Sequence, residues 1–181
     1  MDENRLITIV KPYLDNCRAG DWNHALRVAK WVKVLGEGRE DLDLLMTAAY
    51  IHDIGWSNIL PKGKVDFQEM LRYEEKANEN TQRLVKEVLG KMDFSEEDIN
   101  VVIRLINAAD KHDSEKEDEA ILVDADSLSK LCIEHIEEKY KPESYQEIIS
   151  SLEKDLPNWV KTEKGKFLYP ELLENLKNDI L

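Results

Sequence analysis

The stretch Ala48-Ala49-Tyr50-Ile51-His52-Asp53-Ile54-Gly55-Trp56 sets an adjacent histidine and aspartate at the end of an apolar run. Leu45, Ala48, Ala49 and His52 recur at i, i+3, i+4 and i+7, so they share one face of a helix. An ionisable pair carried inward on such a face is costly unless something coordinates or pairs it. A lone His-Asp dipeptide arises often by chance, so its meaning depends on what the rest of the chain brings to it.

The flanking segments also read as helix. Trp22 to Leu35 places His24, Val28, Trp31 and Leu35 on one face, with Asp21 as the expected N-cap and Gly36-Glu37-Gly38 as the end. Leu42 to Ile54, capped by Asp41 and closed by Gly55, carries the His-Asp pair. Upstream, residues 3–17 form a short amphipathic helix with Pro12 near a bend. Downstream, Trp56 to Val65 is a loop that leaves the pair directly and could cover a site there. Polar helices are expected over 66–78 and 79–90, and another from Ser95-Glu96-Glu97-Asp98, a capping box, to about Ala109. Lys111 to Glu119 reads as a solvated connection. Ala120 to Tyr140, Tyr145 to about Trp159, and about 167–180 complete the series. Only 7 Gly and 5 Pro occur in 181 residues, so the expected class is all-α. A chain of this length fits one domain with a substantial core, and no repeat or linker divides it.

Composition narrows the function. A net charge of −13 argues against a phosphate-backbone binder, which needs a basic footprint, and against an anionic membrane surface. No run approaches 18 apolar residues, and the N-terminus lacks the pattern of a signal peptide. Cys17 and Cys132 form no close-spaced motif, so neither zinc nor a disulfide framework is expected, and a cytoplasmic setting is the default.

The chemistry-bearing candidates are few. His24 lies on the stripe of Val28 and Trp31, where a lone histidine is more often a core residue than a ligand. In Val123-Asp124-Ala125-Asp126-Ser127-Leu128, two carboxylates interrupt an apolar helix, and periodicity does not choose between them. Two imidazoles with carboxylates make an N/O set suited to Mn, Fe, Co, Ni, Zn or Mg. Water completing such a shell is acidified, and the ion polarises a phosphoryl oxygen. His112 reads as a loop residue and His135 as a surface or packing residue. The cysteines lack evident base partners, and G-x-S-x-G, P-loop and H-E-x-x-H motifs are absent. Trp56 reads as a core or site-wall residue.

Taken in order, His24, His52-Asp53 and Asp126 resemble the H…HD…D signature of the HD-domain metal-dependent phosphohydrolases. Asp21-Trp22-Asn23-His24-Ala25-Leu26-Arg27-Val28 is similar to the D-W-x-H-x-x-R-V segment of one branch of small HD hydrolases. Ala48 to Ile54 is similar to its A-A-x-L-H-D-I segment, and Ile121 to Leu128 to its I-V-x-D-A-D-x-L segment. Thr162-Glu163-Lys164-Gly165-Lys166 resembles a late T-E-x-G-K stretch. The resemblance spans about residues 20–170. It implies a single helical HD domain over 1–181, with the motif-bearing core at about 20–140 and the helices of 142–181 packed on it. It also implies one divalent ion held by His24, His52, Asp53 and Asp126, with Asp126 preferred to Asp124 because the final aspartate stands in the A-D-x-L frame.

The activity implied by the resemblance is that of a phosphohydrolase acting on a small phosphorylated compound, a nucleotide for preference, through a metal-activated water. Asp53 or Asp124 would take the proton and Arg27, one turn from His24, would contact phosphate. No nucleic-acid polymer and no membrane is expected as a partner, and a homodimer stays open. Two departures stand out. Gly55-Trp56 replaces the Glu or Lys that often follows the His-Asp pair, with Lys62 or Lys64 as conceivable substitutes. Asp126-Ser127-Leu128-Ser129 replaces the usual D-R-L-D. The first departure motivates an alternative, a catalytically weak ligand-binding or regulatory module on the same fold. A metal-free helical interaction protein is a third reading.

Overall fold

The computed structural model describes residues 2–180. Among them are nine α-helices: α1 (Glu3–Leu14), α2 (Asp21–Leu35), α3 (Leu42–Ile51), α4 (Phe67–Gly90), α5 (Glu96–Lys111), α6 (Glu117–Ser129), α7 (Ile133–Lys139), α8 (Tyr145–Trp159) and α9 (Glu163–Ile180). The fold is all-α, as the sequence implies. The sole β-type pairing among the described residues is an isolated bridge of Val65 with Tyr140. No helix among them is long and apolar enough to cross a membrane.

Two helices form the centre. In α3 every residue from Leu45 to Ile51 is buried, and in α6 every residue from Ile121 to Ser129. A helix covered all round belongs inside a bundle. Helix α2 packs on both, turning Ala25, Val28, Ala29 and Val32 inward. Helices α1, α4, α5, α8 and α9 cover the centre with one face each. Leu6, Val10 and Leu14 of α1 are one such stripe. Thus the histidine of α2, the His-Asp pair after α3 and the aspartates of α6 come from elements that touch one another.

Several expected boundaries shift, each for a local reason. Phe67–Gly90 is a single helix, because no Gly or Pro falls before Gly90 and Ala77, Thr81, Leu84, Val85 and Val88 carry one buried stripe across the expected break at 78–79. The expected helix over 120–140 is two. It breaks at Lys130–Cys132, where the amides of Lys130 and Leu131 bond back three residues to Ser127 and Leu128, and Cys132 is extended. Helix α3 stops at Ile51, and His52–Trp56 continues as a tighter 3₁₀ turn. Asp21 is the first helical residue of α2, with Gly20 (φ 77°) before it, and its carboxylate is spent elsewhere. Asp41 holds the position before α3 without capping it, since its oxygens pair with Arg39. The Ser95 cap is as expected, its hydroxyl accepting from the Asp98 amide.

Gly55 explains its own place. A Cβ there would collide with Thr81 Oγ1 and with the Ala77 carbonyl, so only glycine lets the turn press against α4. Asn80 of α4 donates to the Gly55 carbonyl (2.9 Å) and ties the two together.

Candidate metal centre

His52 ends up facing inward because α3 tightens at its last turn. Its Nδ1 lies 2.9 Å from the Ala49 carbonyl, an acceptor only, so Nδ1 carries the proton and Nε2 presents a lone pair. His24 is fixed in the same tautomer from the other side. Ser129 donates its hydroxyl to the Asp126 carbonyl (2.7 Å), leaving its oxygen to accept from His24 Nδ1 (3.1 Å). The two Nε2 atoms then face each other at 3.2 Å. Asp126 Oδ1 stands 3.0 Å from His24 Nε2 and 3.7 Å from His52 Nε2. Asp53 Oδ2 stands 3.7 and 3.6 Å from the same two nitrogens.

Two lone pairs and the Asp126 oxygen converge, with Asp53 Oδ2 beside both nitrogens, and such a set repels unless a cation lies among them. The protonation states sharpen this. Burial, and then Lys139, pull the His24 imidazole down to about 3, so it is neutral at physiological pH. Burial alone would raise the Asp53 carboxyl, but Arg18 and then Lys139 hold it well below the usual range. Asp126 is likewise held low against burial, chiefly by Lys130. Asp53 Oδ2 is also a buried oxygen that no hydrogen bond satisfies among the described residues, although Arg18 Nη2 is 2.7 Å away. His24, His52 and Asp126 bring ligand atoms within 4.8 Å of one another. This donor set fits a divalent ion taking imidazole nitrogen and carboxylate oxygen.

Around the centre lies a belt of cations. Arg18 is buried between Asp21 (3.0 Å) and Asp53, and its guanidinium lies over the Trp56 ring at 4.0 Å. Lys139, from α7, reaches Asp21 Oδ1 (2.7 Å) and approaches Asp53 Oδ2 (3.7 Å). Lys130 bonds Asp126 Oδ2 at 2.7 Å. Charge missing from the residues after His52-Asp53 is therefore supplied from the α1–α2 connection and α7, and Trp56 is its platform. Lys62 and Lys64, considered as substitutes, do not line the cavity.

The centre forms the floor of a cavity of about 720 Å³. Phe67 and Met70 of α4 and Ile148 and Leu152 of α8 make apolar walls towards the mouth, with Trp159 stacked on His112 (3.8 Å, 20°). It is α4 and α8, not the loop 57–65, that cover the site. His112 caps α5 in the left-handed conformation (φ 50°), and burial and then Lys130 lower its imidazole to about 4. Asp110, on the cavity wall, is raised to about 7 by burial and then by Asp53.

Of the sequence candidates, His24, His52, Asp53 and Asp126 come together, and two others go elsewhere. Asp124 points away from the cavity to the start of α9. It accepts from the amides of Lys161 (2.7 Å) and Thr162 (2.8 Å) and from the Thr162 hydroxyl. It is completely buried and absent from the cavity lining, where the expected proton acceptor would have to stand. The same contacts explain T-E-x-G-K. Thr162 Oγ1 accepts from the Gly165 amide, and a Cβ on Gly165 would collide with Asp124 Oδ2. Arg27, expected at phosphate, instead pairs with Glu138 (3.2 Å) and faces His135 Nδ1 (3.5 Å), outside the cavity lining. His135 is buried against His24 and also lines the cavity. Arg18, Lys130, Lys139 and Asp110 were not singled out for the site by sequence, whereas Trp159, read with the other tryptophans as a core or site-wall residue, lines the cavity. An i,i+4 spacing of Asp126 and Lys130 was the one signal available.

The family model of the HD domain matches residues 21–131. That span holds α2, the His-Asp turn and α6, and the chain belongs to the HD domain family. The family match brings metal-dependent hydrolase chemistry to a site whose histidines and aspartates fit it. No curated protein and no solved structure matches the chain.

Proposed function

We propose that this chain is a metal-dependent phosphohydrolase acting on a small phosphorylated compound. The observation that carries the proposal is the meeting of two imidazole lone pairs at 3.2 Å with two ionised carboxylates, on a cation-ringed cavity floor. His24, His52, Asp53 and Asp126 would hold one divalent ion, which supplies Lewis-acid polarisation and an acidified water.

The chain's own groups do the rest. Ser129 and the Ala49 carbonyl keep both rings aimed. Arg18 and Lys139 hold Asp53 ionised, and their positive charge favours an anionic group at the floor. Asp110 is a cavity-wall carboxyl whose neutral form burial favours, which suits it to give a proton to a departing oxygen. The apolar side chains that α4 and α8 contribute to the cavity seat an apolar or ring-bearing body. That, with the Trp159–His112 stack, supports a nucleotide as the first class to try.

The test is turnover of a panel of nucleotides and simple phosphoesters by metal-reconstituted protein beside Asp53→Ala. Hydrolysis abolished in the variant supports the reading. Absent turnover, or turnover indifferent to Asp53→Ala, overturns it. The catalytically weak reading predicts ligand binding without turnover. Its motive was the uncharged Gly55-Trp56, and the Arg18 guanidinium over the Trp56 ring supports the catalytic reading by bringing a positive charge to that place.

A further inference from the structure

The two oxygens of Asp126 face different neighbours. Oδ1 faces the two histidine Nε2 atoms, whereas Oδ2 is held by the Lys130 ammonium at 2.7 Å. The same ammonium lies 3.2 Å from His112 Nε2, and His112 Nε2 is 3.9 Å from Asp126 Oδ2. A carboxylate that gives one oxygen to each of two positive centres, the second also met by an imidazole, is the arrangement of a two-cation site. Here the second centre is covalently part of the chain.

We propose that Lys130 is the built-in second cation of the site and contacts the substrate's phosphoryl oxygen directly. The inference rests on the phosphohydrolase reading above. An ammonium has three donors. Asp126 and His112 take two, and the side chain, about one-fifth exposed, lines the cavity, so the third is available to a ligand on the floor. The environment fixes the group from three sides. His112 is seated by its stack on Trp159, and Lys130 lies 5.7 Å from the centroid of that indole ring. Lys130 follows directly after α6, where the chain leaves the helix. A phosphoryl group bridging the ion and Lys130 would have one oxygen on each, with no second metal required.

The test uses Mn²⁺-loaded full-length protein and inorganic phosphate. Phosphate binding is measured by calorimetry for wild type, Lys130→Met and Lys130→Arg, with bound Mn²⁺ counted by elemental analysis. Loss of one charge-assisted contact predicts binding at least about tenfold weaker in Lys130→Met, with Mn²⁺ retained and most affinity kept by Lys130→Arg. Phosphate should also shield Lys130 of the wild-type protein from acetylation, read by mass spectrometry, which needs no variant to fold. Undiminished phosphate binding by Lys130→Met, loss of its Mn²⁺, or acetylation indifferent to phosphate each overturns the role. In the first case the phosphohydrolase reading survives. If the wild type binds no phosphate and hydrolyses no ester, both fall.

Discussion

Asp124 and Asp126 of α6 stand two residues apart and do different work, and Asp124→Asn separates them. The substitution keeps the volume of the side chain, so no cavity complicates the result. In the wild type, Asp124 accepts three hydrogen bonds, from the Lys161 and Thr162 amides and the Thr162 hydroxyl. An asparagine oxygen can replace one carboxylate oxygen, but its NH₂ then faces a donor. One buried donor pair is left unsatisfied, at about 1–3 kcal/mol, and the remaining bonds lose their charge assistance. The sum is roughly 3 kcal/mol. For a chain of this size that lowers Tm by about 6–12 °C. Because Asp124 touches α9 rather than the histidines, metal content should not change. Thermal melts and elemental analysis of Asp124→Asn beside Asp126→Asn make the comparison. The pattern expected is a destabilised, metal-loaded first variant and a metal-poor second one. A first variant with wild-type Tm and lost metal would refute the assignment.

Three further outcomes are expected from the geometry. Ser129→Ala leaves the buried His24 Nδ1–H without its acceptor and should weaken metal affinity about 10–100-fold, measured by competition with a chelator; unchanged affinity would deny Ser129 its aiming role. Gly55→Ala drives a methyl into the Ala77 carbonyl, and should cost about 3 kcal/mol or prevent folding, seen in denaturant melts; a wild-type midpoint would contradict the close packing. For Asp110, the folded carboxyl titrates at about 7 against an ordinary 3.8. Between those values the folded state binds more protons than the unfolded one, so stability falls as pH rises through that window. Asp110→Asn removes the loss. Metal-free variant should therefore melt above wild type at pH 8 and level with it near pH 4, whereas an equal offset at both would be against it.

How far the sequence alone reached differs from element to element. The all-α class, the helices α2 and α5, and the convergence of His24, His52, Asp53 and Asp126 accord with apolar periodicity and the order of three motifs. Boundaries set by tertiary contact could not be read that way. Nothing in Lys130-Leu131-Cys132 breaks a helix by propensity, and the break appears because α7 must turn to bring His135 to His24 and Lys139 to Asp21. Arg27 looked like the phosphate contact because it is one turn from His24, but Glu138 of α7 claims it. Asp124 and Asp126 could not be told apart by spacing, since both are buried, and only the position of α9 shows which one is structural. The oddity of Gly55-Trp56 likewise resolved in three dimensions. Gly55 answers to α4, and Trp56 carries Arg18, a residue 38 positions earlier in the chain.

Whether His24, His52, Asp53 and Asp126 hold one divalent ion is decided by Mn²⁺ titration of chelator-stripped protein, with bound metal counted per chain for wild type and for His52→Ala and Asp126→Ala. One equivalent in the wild type and none retained in either variant is the predicted result. A wild type that binds no metal, or variants that bind it as tightly, would contradict it.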